Sequence, residues 1–369
     1  MERGYANLAQ LAGFDEIIDA RSPAEFADDH LPRARSCPVL DDEERARIGT
    51  LYKQVSPFAA RRLGAVLAAR NIARHIEANF LERGRSWRPL VYCWRGGKRS
   101  GAFVTILREI GWDACQLEGG YKAYRRHVLS ELERLPGLLR LRVVSGRTGS
   151  AKSRLLHALA ERGAQVLDLE ALAGHRGSVL GESPADPQPS QRMFETRLAE
   201  ALSRLDPARD VFVEAESRRI GSIQLPNALI DAMRAAECLR IEAAVDVRVR
   251  YLLEDYAHFI AAPERLKARL AGLRELRGAE TVARWCALAD RGEWAALVSS
   301  LLERHYDPLY ERSQERNYLR FHSALRLPAE DLSAETLGRL ADRVLAGAPS
   351  PMPDPSPPPP VSSPARPGR

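Results

Sequence analysis

A cysteine on a glycine-rich turn is the first candidate catalytic residue in the sequence. Cys93 follows the apolar run Pro89–Tyr92, which predicts a buried strand, and a predicted helix begins a few residues later. Backbone N–H groups and the positive end of the helix converge on a sulfur in that position. The result is a stabilised thiolate, a nucleophile able to carry sulfur or a related atom as a persulfide-like adduct. The simpler alternative is a buried cysteine packed as a small hydrophobe. The turn itself, here named the Cys93 loop, continues through Arg95, Gly96, Gly97, Lys98 and Arg99.

A second motif has the form of a phosphate-binding loop. Residues 146–153 follow a predicted strand and open a predicted helix, the context of a Walker A loop, G-x-x-x-x-G-K-[ST]. Ala151 replaces the last glycine, and its methyl group could weaken phosphate binding or be absorbed by a small shift. The alternative is an ordinary strand-to-helix turn with a solvated lysine. The residues expected to bind phosphate are Gly146, Gly149, Ser150, Lys152 and Ser153, of which Ser153 could also bind a magnesium ion.

Two acids and a histidine are further candidates. Glu214 and Glu216 stand at the end of a predicted strand and share one face by its period of two. They could hold a cation or a water, or form a salt bridge to Arg218 or Arg219. His175 is either an acid/base or phosphate-donor group, or a structural histidine.

An acid-free stretch of arginines is a candidate surface for an anionic polymer. The chain carries 55 Lys and Arg against 49 Asp and Glu, a net charge of +6 that permits an anionic partner without requiring one. No acid lies between Ala59 and Ile76. The alternative is an ordinary solvated helix face. The arginines expected to contact RNA phosphates are Arg61, Arg62, Arg70 and Arg74.

These motifs are distributed over a chain of 369 residues, a length typical of two domains. Strands alternate with helices in both halves, which predicts an α/β fold, and the pattern is helical from about Leu225 onward. We predict domains at 1–135 and 138–347, followed by a disordered proline-rich tail at 348–369. No membrane span or export signal is evident, so we expect a soluble, cytoplasmic protein. The five scattered cysteines suggest neither disulfides nor a metal site.

Four segments of the first half resemble, in order, the signatures of a rhodanese domain. They are residues 19–26, 30–34, the Cys93 loop and 117–124. Asp19 and Arg21 are similar to the pair that closes the rhodanese active-site wall. The alternative for this pair is an ordinary surface ion pair, which is worth little. Because rhodanese-like domains include inactive binding modules, the fold alone does not choose the activity.

Three later segments extend the resemblance. Residues 169–181, 188–195 and 213–221 are similar, in order, to blocks of the bacterial tRNA 2-selenouridine synthase family, in which a rhodanese domain precedes a P-loop domain. The resemblance implies that wobble 2-thiouridine of tRNA is S-geranylated from geranyl diphosphate, and that selenium from selenophosphate then replaces the S-geranyl group. It implies that Cys93 is the thiol of the chalcogen step and that no cofactor is tightly bound. Two alternatives remain: a sulfurtransferase gated by a nucleotide-binding P-loop domain, and a catalytically silent RNA-binding scaffold.

Overall fold

The computed structural model describes residues 4–175, 187–255 and 263–347, so the predicted proline-rich tail lies outside the described residues. Internal contacts group the chain into two compact units, Met1–Arg142 with Gln165–Ala236, and Val143–Ala164 with Glu237–Arg369. The units do not coincide with the two predicted domains, whose boundary near residue 136 stays a prediction. Among the described helices, none is both long and apolar enough to cross a membrane.

The first sheet positions Cys93. It has five strands in the order β1-β5-β4-β2-β3, and the register of each neighbouring pair is parallel. Cys93 directly follows the last residue of β4, so it lies at the carboxyl edge of the sheet. The strands are β1 (Tyr5–Ala6), β2 (Glu16–Asp19), β3 (Ala34–Ser36), β4 (Pro89–Tyr92) and β5 (Cys115–Leu117). The helices are α1 (Pro23–Asp28), α2 (Asp42–Gln54), α3 (Pro57–Asn79), α4 (Lys98–Ile110) and α5 (Gly120–Arg134).

The core beneath this sheet is apolar and continuous. All four residues of β4 are buried, as expected for a central parallel strand covered on both faces. Phe103 and Leu107 of α4 are fully buried four residues apart, which places the inner face of α4 against the sheet. The packed α4 therefore holds its own first turn, and with it the Cys93 loop, against the sheet edge.

The second sheet carries residues 146–153, here called the phosphate loop. Its strand order is β12-β11-β6-β8-β7, with parallel pairing of β7 with β8 and of β11 with β12. Its strands are β6 (Arg140–Gly146), β7 (Gln165–Leu167), β8 (Asp210–Glu214), β11 (Glu237–Ala243) and β12 (Leu325–Ala329). A separate hairpin pairs β9 (Arg219–Ile220) with β10 (Ile223–Gln224).

The helices that follow β6 fall into two groups along the chain. The earlier helices are α6 (Lys152–Glu161), α7 (Leu169–Ala173), α8 (Gln191–Ser203), α9 (Asn227–Ala235) and α10 (Val245–Asp255). The later ones are α11 (Pro263–Ala271), α12 (Arg274–Arg277), α13 (Ala279–Asp290), α14 (Trp294–Leu301), α15 (Asp307–Asn317) and α16 (Ala334–Leu345), and a π-helical turn, Leu302–Tyr306, precedes α15.

The predicted α/β class and the helical C-terminal region are both confirmed, although the region after Leu225 also contributes two strands to the second sheet. β11 and β12 both lie in that region. Leu239 and Ile241 are buried in β11, while Arg240 and Glu242 between and after them are only partly covered. That alternation is too short to stand out from an amphipathic helix. The partner strand begins more than eighty residues later, so no local pattern announces the pairing.

Asp29 is a fully buried carboxyl group in the first unit, where α5 packs against α8. Its Oδ2 accepts hydrogen bonds from the hydroxyl groups of Tyr121, at 2.7 Å, and Thr196, at 3.1 Å. Its Oδ1 has no partner among the described residues. Burial raises the pKa of Asp29 above its ordinary value, although both hydrogen bonds act to lower it. The folded protein therefore binds a proton at this site more tightly than the unfolded chain does.

We predict that Asp29→Asn removes a pH-dependent cost of folding. Since the folded pKa is raised, the contribution of Asp29 to stability is fully present below its unfolded pKa, about 3.9, and is lost as the pH rises through the folded value. The stability of the variant relative to the wild type should therefore increase as the pH rises. Denaturant unfolding at a series of pH values measures this difference. Asp28→Asn, at an exposed neighbour, is the control, and parallel pH profiles for wild type and Asp29→Asn would contradict the prediction.

Candidate functional site

The sulfur of Cys93 is held by the turn that follows it. The backbone N–H of Gly97 donates to Sγ at 3.3 Å, and the hydroxyl of Ser100 donates at 3.1 Å. Burial acts to raise the pKa of the thiol, but the hydrogen bonds from Ser100 and Gly97 and the charge of Arg99 outweigh it, so the pKa lies below its ordinary value. The expected convergence of N–H groups and positive charge on the sulfur is therefore present. Arg95 is exposed, and Arg99 is the cation of the loop whose field acts on the sulfur.

Two residues that the sequence did not single out complete this arrangement. Ser100 is the third residue of α4, and its side chain is oriented by Gln116, whose Nε2 donates to Ser100 Oγ at 2.9 Å and to the Gly97 carbonyl at 3.0 Å. The position of Ser100 in the first turn of the helix was a usable signal, because that turn faces the sulfur. The sequence contained no comparable signal for Gln116, because Gln116 lies on a different element, β5, and reaches Ser100 only in the folded chain. On the other side, Arg99 donates to Glu25 of α1 at 2.7 Å.

Three other thiols differ from Cys93. Burial raises the pKa of Cys37 to about 12 and that of Cys238 to about 11, and it also raises the pKa of Cys115. A raised pKa keeps a thiol protonated and inert at neutral pH. The surroundings of Cys93, by contrast, favour the nucleophilic form.

Asp19 and Arg21 form a buried wall beside the loop, not the surface ion pair considered as the alternative. Both side chains are buried, with exposures of 0% and 1%, and the shortest N–O distance between them is 2.6 Å. The same guanidinium lies 4.0 Å from the centroid of the Tyr121 ring, and Tyr92 donates its hydroxyl hydrogen to Asp19 at 2.6 Å. A buried pair of this kind holds its neighbours in one geometry, because breaking it leaves a charge without compensation.

Close backbone approaches shape the loop. A Cβ on Gly120 would lie 2.3 Å from the Cys93 carbonyl oxygen and 2.5 Å from the Gly96 nitrogen, distances that no side chain allows. Gly96 itself has a φ of +65°, in the left-handed region that favours glycine. The N–H of Tyr121 donates to the Cys93 carbonyl at 2.9 Å. The start of α5 and the Cys93 loop therefore pack backbone against backbone.

The phosphate loop has the expected place between β6 and α6. Lys152 is the first residue of α6, and its ammonium donates to the Gly146 carbonyl at 3.2 Å. Ala151 has a φ of +58° and a ψ of +38°. This left-handed conformation explains the usual glycine of the motif through backbone strain, a cause separate from the space that the methyl group occupies. Gly149 also has a positive φ, and a Cβ there would lie 2.7 Å from the Leu252 side chain.

Two serines of the loop fit a phosphate ligand. Ser150 is 1% exposed, and its hydroxyl has no hydrogen-bond partner among the described residues. A buried polar atom without a partner is costly unless a ligand or water satisfies it. Ser153 is half-buried in the first turn of α6. The loop therefore offers an unused hydroxyl together with a lysine at a helix N-terminus, which are the groups that bind phosphate.

Helix α15 packs against the same loop. The Tyr310 hydroxyl accepts a hydrogen bond from the Gly146 N–H at 2.7 Å, and its ring centroid is 5.5 Å from the Lys152 ammonium. Arg147 pairs with Glu311, with a separation of 3.0 Å between Nε and Oε1. These contacts cross 164 residues of sequence, so the motif by itself gave no sign of them.

A buried ion pair fixes the turn of the loop. Arg248 is fully buried and makes two hydrogen bonds of 2.8 Å to the carboxylate of Asp307. It also donates to the Thr148 carbonyl at 3.1 Å. The loop backbone is therefore anchored by a charge pair that costs free energy to disrupt.

Glu214 and His175 both form hydrogen bonds with the backbone of Glu170 in α7. Glu214 is 1% exposed and accepts a hydrogen bond at 2.8 Å from the N–H of Glu170 in the first turn of α7. Burial raises its pKa well above the ordinary value, with further contributions from neighbouring acids. Glu216 lies beyond the end of β8 and is half-buried. Among the described residues, no three His, Cys, Asp or Glu side chains are grouped to hold a metal. The N–H of His175 donates to the Glu170 carbonyl, and its ring lies against Gly221.

The four predicted RNA-contacting arginines lie on α3. All are exposed, and in the described part of the chain none of them forms an ion pair. They are Arg61, Arg62, Arg70 and Arg74.

We predict that Ser100→Ala raises the pKa of Cys93, because it removes a hydrogen bond that lowers it. A hydrogen bond to a charged group is worth about 1.5 to 3 kcal/mol, so its loss should move the pKa of Cys93 measurably upward. Ultraviolet absorbance of the thiolate, measured against pH with the Cys93→Ala protein as blank, follows this titration. Thr105→Ala, also on α4, is the control, and an unchanged Cys93 titration in Ser100→Ala would refute the assignment.

We also predict that Gly120→Ala disrupts the Cys93 loop whereas Gly111→Ala does not. Both glycines have positive φ, so both substitutions carry backbone strain of about 1 to 2 kcal/mol. Only at Gly120 would the methyl group overlap backbone atoms, whereas nothing lies within 4 Å at Gly111. The loss of thermal stability should therefore be clearly larger for Gly120→Ala, and Cys93 alkylation should change only there. Equal effects of the two substitutions would show that the close approach is unimportant.

Comparisons with known proteins agree with both halves of the chain. A rhodanese-like domain model matches residues 5–127, and a model of the tRNA 2-selenouridine synthase AAA domain matches residues 139–276. Three curated relatives carry the name tRNA 2-selenouridine synthase. That of Alcanivorax borkumensis is 36% identical over 330 residues, 80% of this chain and 88% of its own length. That of Shewanella oneidensis is 32% identical over 361 residues, 87% and 95% of the two chains. That of Nitrosomonas europaea is 39% identical over 244 residues, 65% of this chain and 63% of its own length.

The rhodanese resemblance and the family resemblance seen in the sequence are therefore both confirmed, over most of the length of both chains in two of these relatives. The chain belongs to the tRNA 2-selenouridine synthase family.

Proposed function

We propose that this chain converts the wobble 2-thiouridine of tRNA to 2-selenouridine in the cytoplasm through an S-geranyl intermediate. In the first step the base sulfur bonds to carbon 1 of geranyl diphosphate while the carbon–oxygen bond breaks and diphosphate leaves. In the second step C2 of the base gains selenium from selenophosphate and loses sulfur as geranylthiol, with water converting the phosphoryl group to phosphate. The protein is thus a selenotransferase with geranyltransferase activity.

The observation that carries this proposal is the sulfur of Cys93, held by Gly97 and Ser100 in a chain that also has a phosphate loop. A stabilised thiolate suits the chalcogen-exchange step, and we assign Cys93 to it. The phosphate loop suits the diphosphate, with Lys152 and the unpartnered Ser150 hydroxyl as ligands. Ser153 would hold the Mg²⁺ that accompanies a diphosphate.

The arginines of α3 supply the RNA contacts in this proposal. Their exposed guanidinium groups attract the phosphate backbone of tRNA, which positions the RNA without reading its sequence. A sulfurtransferase gated by nucleotide binding would use the same thiol and the same loop. It differs in its product, because it would leave selenium out of the tRNA.

We predict that the two steps can be separated by substitution. Lys152→Ala removes a charge-assisted contact of about 1.5 to 3 kcal/mol, so the affinity for geranyl diphosphate should fall roughly ten- to a hundredfold and S-geranyl tRNA should form more slowly. Cys93→Ala should leave geranylation intact and abolish selenouridine. Mass spectrometry of tRNA nucleosides, after incubation with 2-thiouridine tRNA, geranyl diphosphate and selenophosphate, measures both products.

Matched controls make the result decisive. Cys115→Ala removes a thiol with a raised pKa and should be neutral. Ala151→Gly relieves the left-handed strain and should preserve or strengthen binding of the diphosphate. Selenouridine formation at the wild-type rate in Cys93→Ala would disprove the role of that thiol. Unchanged binding of geranyl diphosphate in Lys152→Ala would disprove the role of the loop.

A further inference from the structure

The connection between α2 and α3 exposes large apolar side chains. Tyr52 is 58% exposed, Val55 69% and Phe58 68%, all within one helical turn of the connection. We call these three residues, with Arg61 and Arg62, the hairpin tip. Exposed apolar groups clustered in this way, as opposed to scattered singly, mark an interaction site.

The hairpin tip is built to hold Phe58 in place. The Ser56 hydroxyl accepts hydrogen bonds from the N–H groups of Phe58, at 3.1 Å, and Ala59, at 3.2 Å, which caps α3, and Pro57 opens the helix. Among the described residues, neither the Phe58 ring nor the Tyr52 ring has a ring partner or a side-chain hydrogen bond. Two flat faces are therefore presented to solvent from a fixed backbone.

Cations lie near these rings in the sequence, with no acid among them. Residues 51–76 contain Lys53 and the four arginines of α3 but no Asp or Glu. The acids of α2 lie at the other end of the hairpin, where Glu44 accepts a hydrogen bond from Asn71. Arg61 and Arg62 follow Phe58 by three and four residues, so they lie on the same face of α3, about 4.5 and 6 Å along the helix axis at 1.5 Å per residue.

A flat apolar ring next to a cation is the arrangement that an unpaired nucleotide requires. A base can stack on the ring while its phosphate meets the guanidinium group. Base-paired RNA hides its base faces, so it would contact only the arginines. A membrane surface suits this site less well, because Arg62 and Arg70 interrupt the apolar face at Phe58 and Val66.

We propose that the hairpin tip binds unpaired nucleotides of the tRNA anticodon loop, with Phe58 and Tyr52 stacking on bases and Arg61 and Arg62 contacting the neighbouring phosphates. The inference rests on the proposed function, which makes the wobble base, itself in that loop, the substrate. It adds a mode of recognition that is separate from the electrostatic attraction of the α3 arginines.

The test compares binding of the full-length protein to two RNAs, an unmodified anticodon stem-loop and a duplex of equal length, at several salt concentrations. Phe58→Ala should weaken stem-loop binding about fivefold to a hundredfold, leave duplex binding unchanged and leave the salt dependence unchanged, since counterion release stays the same. Tyr52→Ala should act in the same direction. The Arg61→Ala, Arg62→Ala double variant should lower the slope of log affinity against log salt by about 0.7 for each phosphate that is no longer neutralised.

Three further variants identify stacking as the cause. Phe58→Trp should retain binding and Phe58→Leu should lose it, because leucine is apolar but has no flat face. Leu129→Ala, at an exposed apolar position on α5, should have no effect. Wild-type stem-loop binding by Phe58→Ala, or equal losses on stem-loop and duplex, would overturn the proposal. So would a Phe58→Ala defect confined to vesicles containing an anionic lipid.

The assay also separates this inference from the proposed function. It uses no selenophosphate, no geranyl diphosphate and no thiouridine, and Cys93→Ala should bind both RNAs as the wild type does. If the wild-type protein forms no selenouridine but Phe58→Ala still shows the stem-loop defect, only the proposed function is contradicted. If the wild-type protein forms selenouridine and Phe58→Ala binds the stem-loop fully, only the hairpin-tip inference is contradicted.

Discussion

The buried guanidinium of Arg21 is the interaction on which the thiol site depends. It binds the Asp19 carboxylate at the end of β2, donates at 2.6 Å to the Asp29 carbonyl after α1, and lies against the ring of Tyr121. Tyr121 in turn binds the Cys93 carbonyl through its N–H and the Asp29 carboxyl through its hydroxyl. One charge thus ties together the end of β2, the residue after α1 and the start of α5, and Tyr121 connects this cluster to the Cys93 backbone. The desolvation of this charge is compensated only while every partner stays in place, so the geometry is all-or-none.

The phosphate loop follows the same physical logic with different residues. Arg248 and Asp307 form a buried ion pair, and the Arg248 guanidinium also donates a hydrogen bond to the Thr148 carbonyl. Tyr310 holds the first N–H of the loop. Ala151 carries local strain because it adopts a left-handed conformation, and these contacts from α10 and α15 keep the loop in that conformation. Helices distant in sequence therefore fix the conformation of the loop.

The two sites favour negative charge by different means. At Cys93, which is buried, a single anion, the thiolate, is stabilised by the N–H groups of Gly97 and Ser100, the Ser100 hydroxyl and the field of Arg99. At the phosphate loop the stabilising groups are a lysine ammonium and a helix N-terminus, which suit a larger and more highly charged ligand. The exposed arginines of α3 act over a longer range and are sensitive to salt. Each site matches the charge and size of the partner that we assign to it.

The sequence by itself determined the α/β class, the family, the strand-end position of Cys93 and the loop at residues 146–153. These features depend on local patterns, because an apolar run followed by glycines and a helix start is written in consecutive residues. Tertiary structure alone decided which groups surround each site. Gln116 orients Ser100 from a neighbouring strand, and buried Glu214 accepts a hydrogen bond from the N–H of Glu170 in α7. Tyr310 contacts Gly146, which lies 164 residues earlier in the sequence. It also decided that residues 237–243 form a strand, because their partner is β12. A hydrogen bond or ion pair between distant residues leaves no periodicity in a single sequence, so only the folded chain brings those residues together.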